Sequence, residues 1–177
     1  MRTTLVKLQA DLENCTDLKP LDHEEYPHDY GFKFICNKCR YEHPKEIIIN
    51  RFDRIAVQLK SQIKRTANFF TYCKDCHNEI FIIITLAEPV TAESKDTEDE
   101  DNFIPIIEVH SHGCRIKEFI LEDQFQCTSS AGNIIEGVDL RANDWSEFDE
   151  EGNIPVTITN AKFQLEELPG NGQVTTL

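Results

Sequence analysis

The chain has 177 residues, seven cysteines and a formal net charge of −14, with 32 acidic residues against 18 basic ones. That length holds one ordinary domain or two small ones, with room for a core of its own. The acidic balance repels nucleic-acid phosphates and anionic membranes on average, and an odd cysteine count with no export signal argues against a disulfide framework.

Period-two alternation dominates the chain in order. Val6, Leu8, Ala10 and Leu12 face one way, and Lys7, Gln9 and Asp11 the other, which is the pattern of a half-buried strand. Tyr30, Phe32 and Phe34 repeat it and run into Cys36. Ile47 to Ile49 is a short β-branched run. Ile55, Val57 and Leu59 alternate within a stretch, Arg51 to Gln62, that could also be written as a helix but suits a strand better. Phe69 to Tyr72 leads into Cys73, and Ile80 to Leu86 leads away from Cys76. Residues 88–102 break the pattern with Pro89 and, after it, six acids (Glu93, Asp96, Glu98, Asp99, Glu100 and Asp101) against Lys95, and read as an acidic loop. Strands resume at Ile104 to Val109, Ile116 to Leu121 and Ile154 to Ile158. Asn143 to Glu151 reads as a second acidic loop around Trp145 and Phe148, with Trp145 expected as a plug on the core. Residues 171–177 read as a tail. The expected fold is all-β: a sandwich or pseudo-barrel of short antiparallel strands, one domain over residues 1–170 with a module at about 30–87 that carries Cys36, Cys39, Cys73 and Cys76, the four thiols of a zinc site. A faint internal echo links Leu8–Leu21 with Ile106–Phe119, since each shows a strand, a turn with a cysteine (Cys15, Cys114), then basic and apolar residues; two related halves and chance similarity both account for it.

The chemistry lies in two C-x-x-C pairs, Cys36-Asn37-Lys38-Cys39 and Cys73-Lys74-Asp75-Cys76, each at a turn between strand-like segments. Four thiolates suit one tetrahedral Zn²⁺ in a closed structural site. The excursion of 33 residues between the pairs is longer than in common zinc modules. Doubling a loop costs only about 0.6 kcal/mol of closure entropy, against an apparent ~10–16 kcal/mol for structural zinc. A thioredoxin-like redox pair needs a helix after the motif, and neither pair has one. Arg40 and His77 stand just after the second cysteines, where zinc knuckles often carry glycine. His77 is expected to point away from the metal. Cys15, Cys114 and Cys127 read as small buried apolar residues.

Other candidates are weaker. His110, His112 and Cys114 would share one face of an extended strand and could form a second, open metal site for a metal-handling protein or metal-dependent enzyme. A polar strand end, bent at Gly113, is the simpler reading. His23, His28 and His43 read as solvated. Between Lys33 and Arg65, nine basic residues face three acidic ones. Such a module could touch nucleic acid, but the field of the whole chain opposes it. No phosphate loop, nucleophile elbow or paired-carboxylate constellation appears.

The opening strand with Leu12-Glu13-Asn14-Cys15-Thr16-Asp17-Leu18-Lys19-Pro20, the two C-x-x-C pairs, Asp101-Asn102-Phe103 and Asp144-Trp145-Ser146-Glu147-Phe148-Asp149-Glu150 together resemble the eukaryotic CXXC-motif-containing zinc-binding protein family, over roughly residues 4–160. The resemblance implies a compact, mostly β protein with one zinc per chain on Cys36, Cys39, Cys73 and Cys76, and no established enzymatic activity. The segment His23–Asp29, the acidic loop and the C-terminal stretch depart from the pattern. The expectation is a non-enzymatic zinc protein, cytoplasmic or nuclear, that binds another protein. No stretch approaches the roughly 20 apolar residues of a membrane span.

Overall fold

The computed structural model describes residues 1–59, 64–87 and 103–169. The acidic segment 88–102 and the tail lie outside the described residues. No helix is present among those described. Strand β1 (Arg2–Glu13) and strand β9 (Ile104–His112) pair antiparallel at the centre of a six-stranded sheet. Beyond β1 lies the hairpin of β14 (Ile154–Glu167) and β13 (Trp145–Asp149). Beyond β9 lies the hairpin of β8 (Glu79–Leu86) and β7 (Phe69–Tyr72). The order β13-β14-β1-β9-β8-β7 therefore reads alike from either edge.

Each central strand then leaves the sheet at one residue in the left-handed region. β1 turns at Asn14 (φ 57°) into β2 (Cys15–Pro20), and β9 turns at Gly113 (φ 74°) into β10 (Cys114–Leu121). β2 joins β11 (Phe125–Ser129) and β12 (Ile134–Val138) in a three-stranded sheet. β10 joins β3 (Asp29–Cys36) and β4 (Ile47–Asn50) in another. The match extends to single hydrogen bonds. Cys36 pairs Cys114 as Ser129 pairs Cys15. The Asn37 N–H donates to the Gly113 carbonyl at 3.0 Å, and the Ser130 N–H donates to the Asn14 carbonyl at 2.9 Å. The echo in the sequence is thus a real repeat of topology.

The core lies where the small sheets meet one face of the large one. Val6, Leu8 and Ala10 of β1 join Phe32, Phe34, Ile116 and Phe125 in one buried cluster. Phe119 bridges the sheets, 5.6 Å from the Phe32 ring and 5.5 Å from Phe163. Cys15, Cys114 and Cys127 are buried in this cluster, as expected of small apolar side chains. The other face of the sheet is covered on one side by a hairpin of β5 (Ile55–Gln58) and β6 (Lys64–Ala67), whose Val57 and Ala67 pack on Phe81. Ile80, Ile82 and Ile84 face the main core while Phe81 and Ile83 face the hairpin. A strand covered on both faces can be apolar throughout.

Several expectations change. Asn143–Glu151 contains strand β13 rather than only loop. Its pairing, from Trp145 with Ile158 to Asp149 with Ile154, involves polar side chains because the strand is a sheet edge facing water. Trp145 is half-buried against the core, as expected of a plug. Cys15, expected in a turn, opens strand β2, β11 alternates over only five residues, and β6 and β12 show no clear alternation in the sequence. His28 and His43 are buried instead of solvated. The His28 ring lies against that of Tyr30, tilted at 35° with centroids 4.5 Å apart, and burial pushes its pKa below the usual histidine range. The segment before it is anchored by Asp22, whose carboxylate accepts from the Tyr30 hydroxyl at 2.7 Å and Arg51 Nε at 2.8 Å.

At Gly113 a Cβ would lie 1.9 Å from the carbonyl oxygen of Glu79. Steric overlap and a left-handed backbone both oppose a side chain there. Gly113→Ala is expected to lower stability by more than about 2 kcal/mol, read as a lower urea midpoint with an unchanged slope.

Candidate metal centre

Strand β3 ends at Cys36, and the following turn carries Cys39. The β7–β8 hairpin turn carries Cys73 and Cys76. Pairing of Cys36 with Cys114 sets one turn beside Gly113, and a hydrogen bond from Asn78 Nδ2 to the Gly113 carbonyl, 3.0 Å, sets the other there. All four sulfurs consequently lie within 4.8 Å of one another, with Cys36–Cys76 at 3.6 Å and Cys39–Cys73 at 3.5 Å. A tetrahedron with Zn–S bonds of about 2.3 Å has sulfur–sulfur edges of about 3.8 Å. The cluster has the size such an ion requires, and all seven cysteines are free thiols.

The two turns share one backbone design. The Arg40 N–H donates to the Cys36 carbonyl and the His77 N–H to the Cys73 carbonyl, at 3.1 and 2.9 Å. Arg40 (φ 66°) and His77 (φ 56°) occupy the left-handed region where a glycine would relax the chain. The knuckle geometry survives without glycine, at a cost of order 1–2 kcal/mol per residue. His77 is solvent-exposed and outside the sulfur cluster, as expected.

The cluster handles charge unevenly. Burial pushes the Cys36 thiol up, but the backbone N–H groups of Cys39 and Lys38, and then the Cys76 and Cys39 thiols, bring it down to about 7. Cys39 is pushed up to about 12 by burial and by the Cys76, Cys73 and Cys36 thiols, with the Tyr41 N–H opposing. Asn78 Nδ2 also points to Cys36 Sγ at 3.8 Å. A divalent ion would draw all four as thiolates and release the protons they hold, so its affinity would rise with pH. Asn37, Asn78 and Gly113, which orient the turns, carry no sequence signal as outer-sphere residues.

His110, His112 and Cys114 do not converge. Thr3 Oγ1 lies 3.1 Å from His110 Nδ1, and His112 stacks on Phe81 at 4.9 Å. Cys114 is buried beyond the bend at Gly113 and pushed up to about 12, chiefly by burial. Among the described residues, the four cysteines form the one group with metal-ligand geometry. His110→Ala with His112→Ala is expected to leave metal content unchanged by elemental analysis.

The opposite half has turns at the matching places. Asp149 pairs Ile154 across the β13–β14 turn, as the Cys73 N–H meets the Asn78 carbonyl, 2.8 Å away, across the β7–β8 turn. Asn153 (φ 51°) corresponds to His77. Here a carboxylate joins the turns. Asp149 accepts from Ser129 Oγ at 2.5 Å, from Asn133 Nδ2 at 3.0 and 3.1 Å, and from the Gly152 N–H at 3.0 Å. These donors, the Ser129 hydroxyl first, hold Asp149 below the usual carboxylate range. A depressed folded-state pKa means its contribution is present above the ordinary carboxylate range and is lost as pH falls through the folded value. The difference in thermal midpoint between wild type and Asp149→Asn is therefore expected to be constant above about pH 5 and to shrink below the ordinary value near 4.

A profile for the eukaryotic CXXC motif containing zinc binding proteins matches residues 5–166. The chain belongs to this family. It is 25% identical to a UPF0587 protein of Schizosaccharomyces pombe over 92% of this chain and 96% of that one. It is 27% identical to the CXXC motif containing zinc binding protein of Homo sapiens, over 90% and 95%. A crystal structure of C1orf123 matches with a TM-score of 0.77 and 26% identity, covering 94% of this chain and 99% of that one. The family name and the sulfur cluster point together to zinc binding by this protein.

Proposed function

We propose that the protein is a non-enzymatic zinc protein that holds one Zn²⁺ per chain on Cys36, Cys39, Cys73 and Cys76 and acts as an interaction module for another protein in the cytoplasm or nucleus. The observation that carries this reading is the make-up of the cluster: four sulfurs and no imidazole or carboxylate. Four protein ligands complete a tetrahedron and leave no position for substrate or activated water, which is the signature of a structural site. Cys36 and Cys73 are fully buried, so the ion would sit inside the joint between two turns.

A basic nucleic-acid surface between Lys33 and Arg65 has less support. Lys33 is tied to Glu118 at 2.9 Å and Arg51 to Asp22 at 2.8 Å. The reading as a metal-dependent enzyme on His110, His112 and Cys114 has no converging ligand set to use.

Elemental analysis of purified protein is expected to find about one zinc per chain. Because such an ion contributes an apparent ~10–16 kcal/mol in small zinc domains, chelation or Cys36→Ser should abolish cooperative unfolding of the half around β3, β7 and β8, measured by hydrogen exchange. Retention of native exchange protection in fully stripped protein would reject the structural role.

A further inference from the structure

Away from the cysteine cluster, the end of the molecule that carries the Asp149 carboxylate opens into a groove of about 620 Å³. Two edge strands border it. Among the described residues β12 pairs only with β11, and β13 only with β14. An edge strand presents a row of backbone donors and acceptors to any extended chain laid beside it. The groove also holds two large apolar side chains in water: Ile134 is 66% exposed and Phe148 52% exposed. Around them stand Glu136, Glu147, Glu150 and Glu151, none of which forms an ion pair among the described residues. The floor is rigid, because Ser129, Asn133 and Gly152 are all bonded to Asp149.

We propose that this groove binds an extended, basic segment of a partner protein, with alternate apolar and Lys or Arg side chains, laid along the β13 edge. The inference rests on the reading of the protein as an interaction module and names its surface. Four carboxylates with no ion pair among the described residues select a cationic occupant and exclude nucleic acid and acidic lipid. Ile134 and Phe148 select apolar side chains on the same segment, and the free edge selects an extended backbone, which is the strand-addition mode of recognition. A simple inorganic cation fits less well, since the most enclosed carboxylate, Asp149, already has its oxygens occupied by protein donors. The net charge of −14 steers a basic segment toward the protein at low salt.

The test uses the full-length, zinc-loaded chain and a fluorescein-labelled peptide of about eight residues alternating lysine and valine. The peptide is expected to bind, to shift the amide resonances of Trp145–Asp149, and to bind more weakly as salt rises. Phe148→Ser should weaken it by about tenfold or more. Glu147→Lys should weaken it and reduce its salt dependence. Tyr72→Ser, at the matching exposed aromatic of the cysteine half, should have no effect. A peptide alternating glutamate and valine should not bind. Equal affinity for wild type and Phe148→Ser, or shifts confined to other surfaces, would overturn the proposal. Capture of cellular protein equally by wild type and Phe148→Ser would remove the groove and leave the interaction reading standing. Capture by neither would remove both.

Discussion

The structure depends on holding together pairs of turns that belong to different sheets. Each three-stranded sheet packs over one face of the large sheet, and at its end a β3 or β11 turn approaches a hairpin turn of the six-stranded sheet. Backbone pairing cannot join them, because the strands on either side are already committed to their own ladders. A side-chain joint is required. In one half it is four sulfurs within 4.8 Å, and in the other a carboxylate with three donors around it. The same geometric problem has two chemical solutions within one chain.

The solutions differ in strength and in what they respond to. Four converging thiols bring together groups that repel once ionised, a repulsion that a bound cation would offset. The Ser129–Asn133–Asp149 joint is complete as protein alone, since every donor has an acceptor. On the proposed structural role, stability in one half would be tied to metal and thiol protonation. In the other it is tied to a single carboxylate. The halves also differ in cover. The β5–β6 hairpin sits over Phe81 and Ile83, and the matching positions on β14 are Thr157 and Thr159, which need no cover. The strands of that insertion, with β4 and β7, lie within the excursion of 33 residues between the cysteine pairs.

The division between what was legible and what was not follows from physical range. Alternation of apolar side chains reveals a strand with one wet face, as in β1 and β3, and a short continuous apolar run reveals a strand covered on both, as in β8. Paired cysteine spacing reveals a metal centre, because two intervening residues bring both sulfurs of a pair to one side of an ion. These signals are local. Strands β2, β11, β12 and β13 carry mixed polar patterns, since they are short, bulged or at an edge, and their pairing depends on neighbours far along the chain.

The amino-acid sequence alone determined the all-β class and the four sulfurs, because hydrophobic period and C-x-x-C spacing are set over a few residues. Only the tertiary structure decided that Arg40 and His77 take the left-handed backbone there, that His28 and His43 are buried, and that Ser129, Asn133 and Asp149 form the counterpart of the cysteine joint. No spacing rule could find those three, since each is a common surface residue until β11 and β13 bring them within hydrogen-bond reach. Contacts between distant segments are decided by how sheets stack, and that arrangement is a property of the whole core.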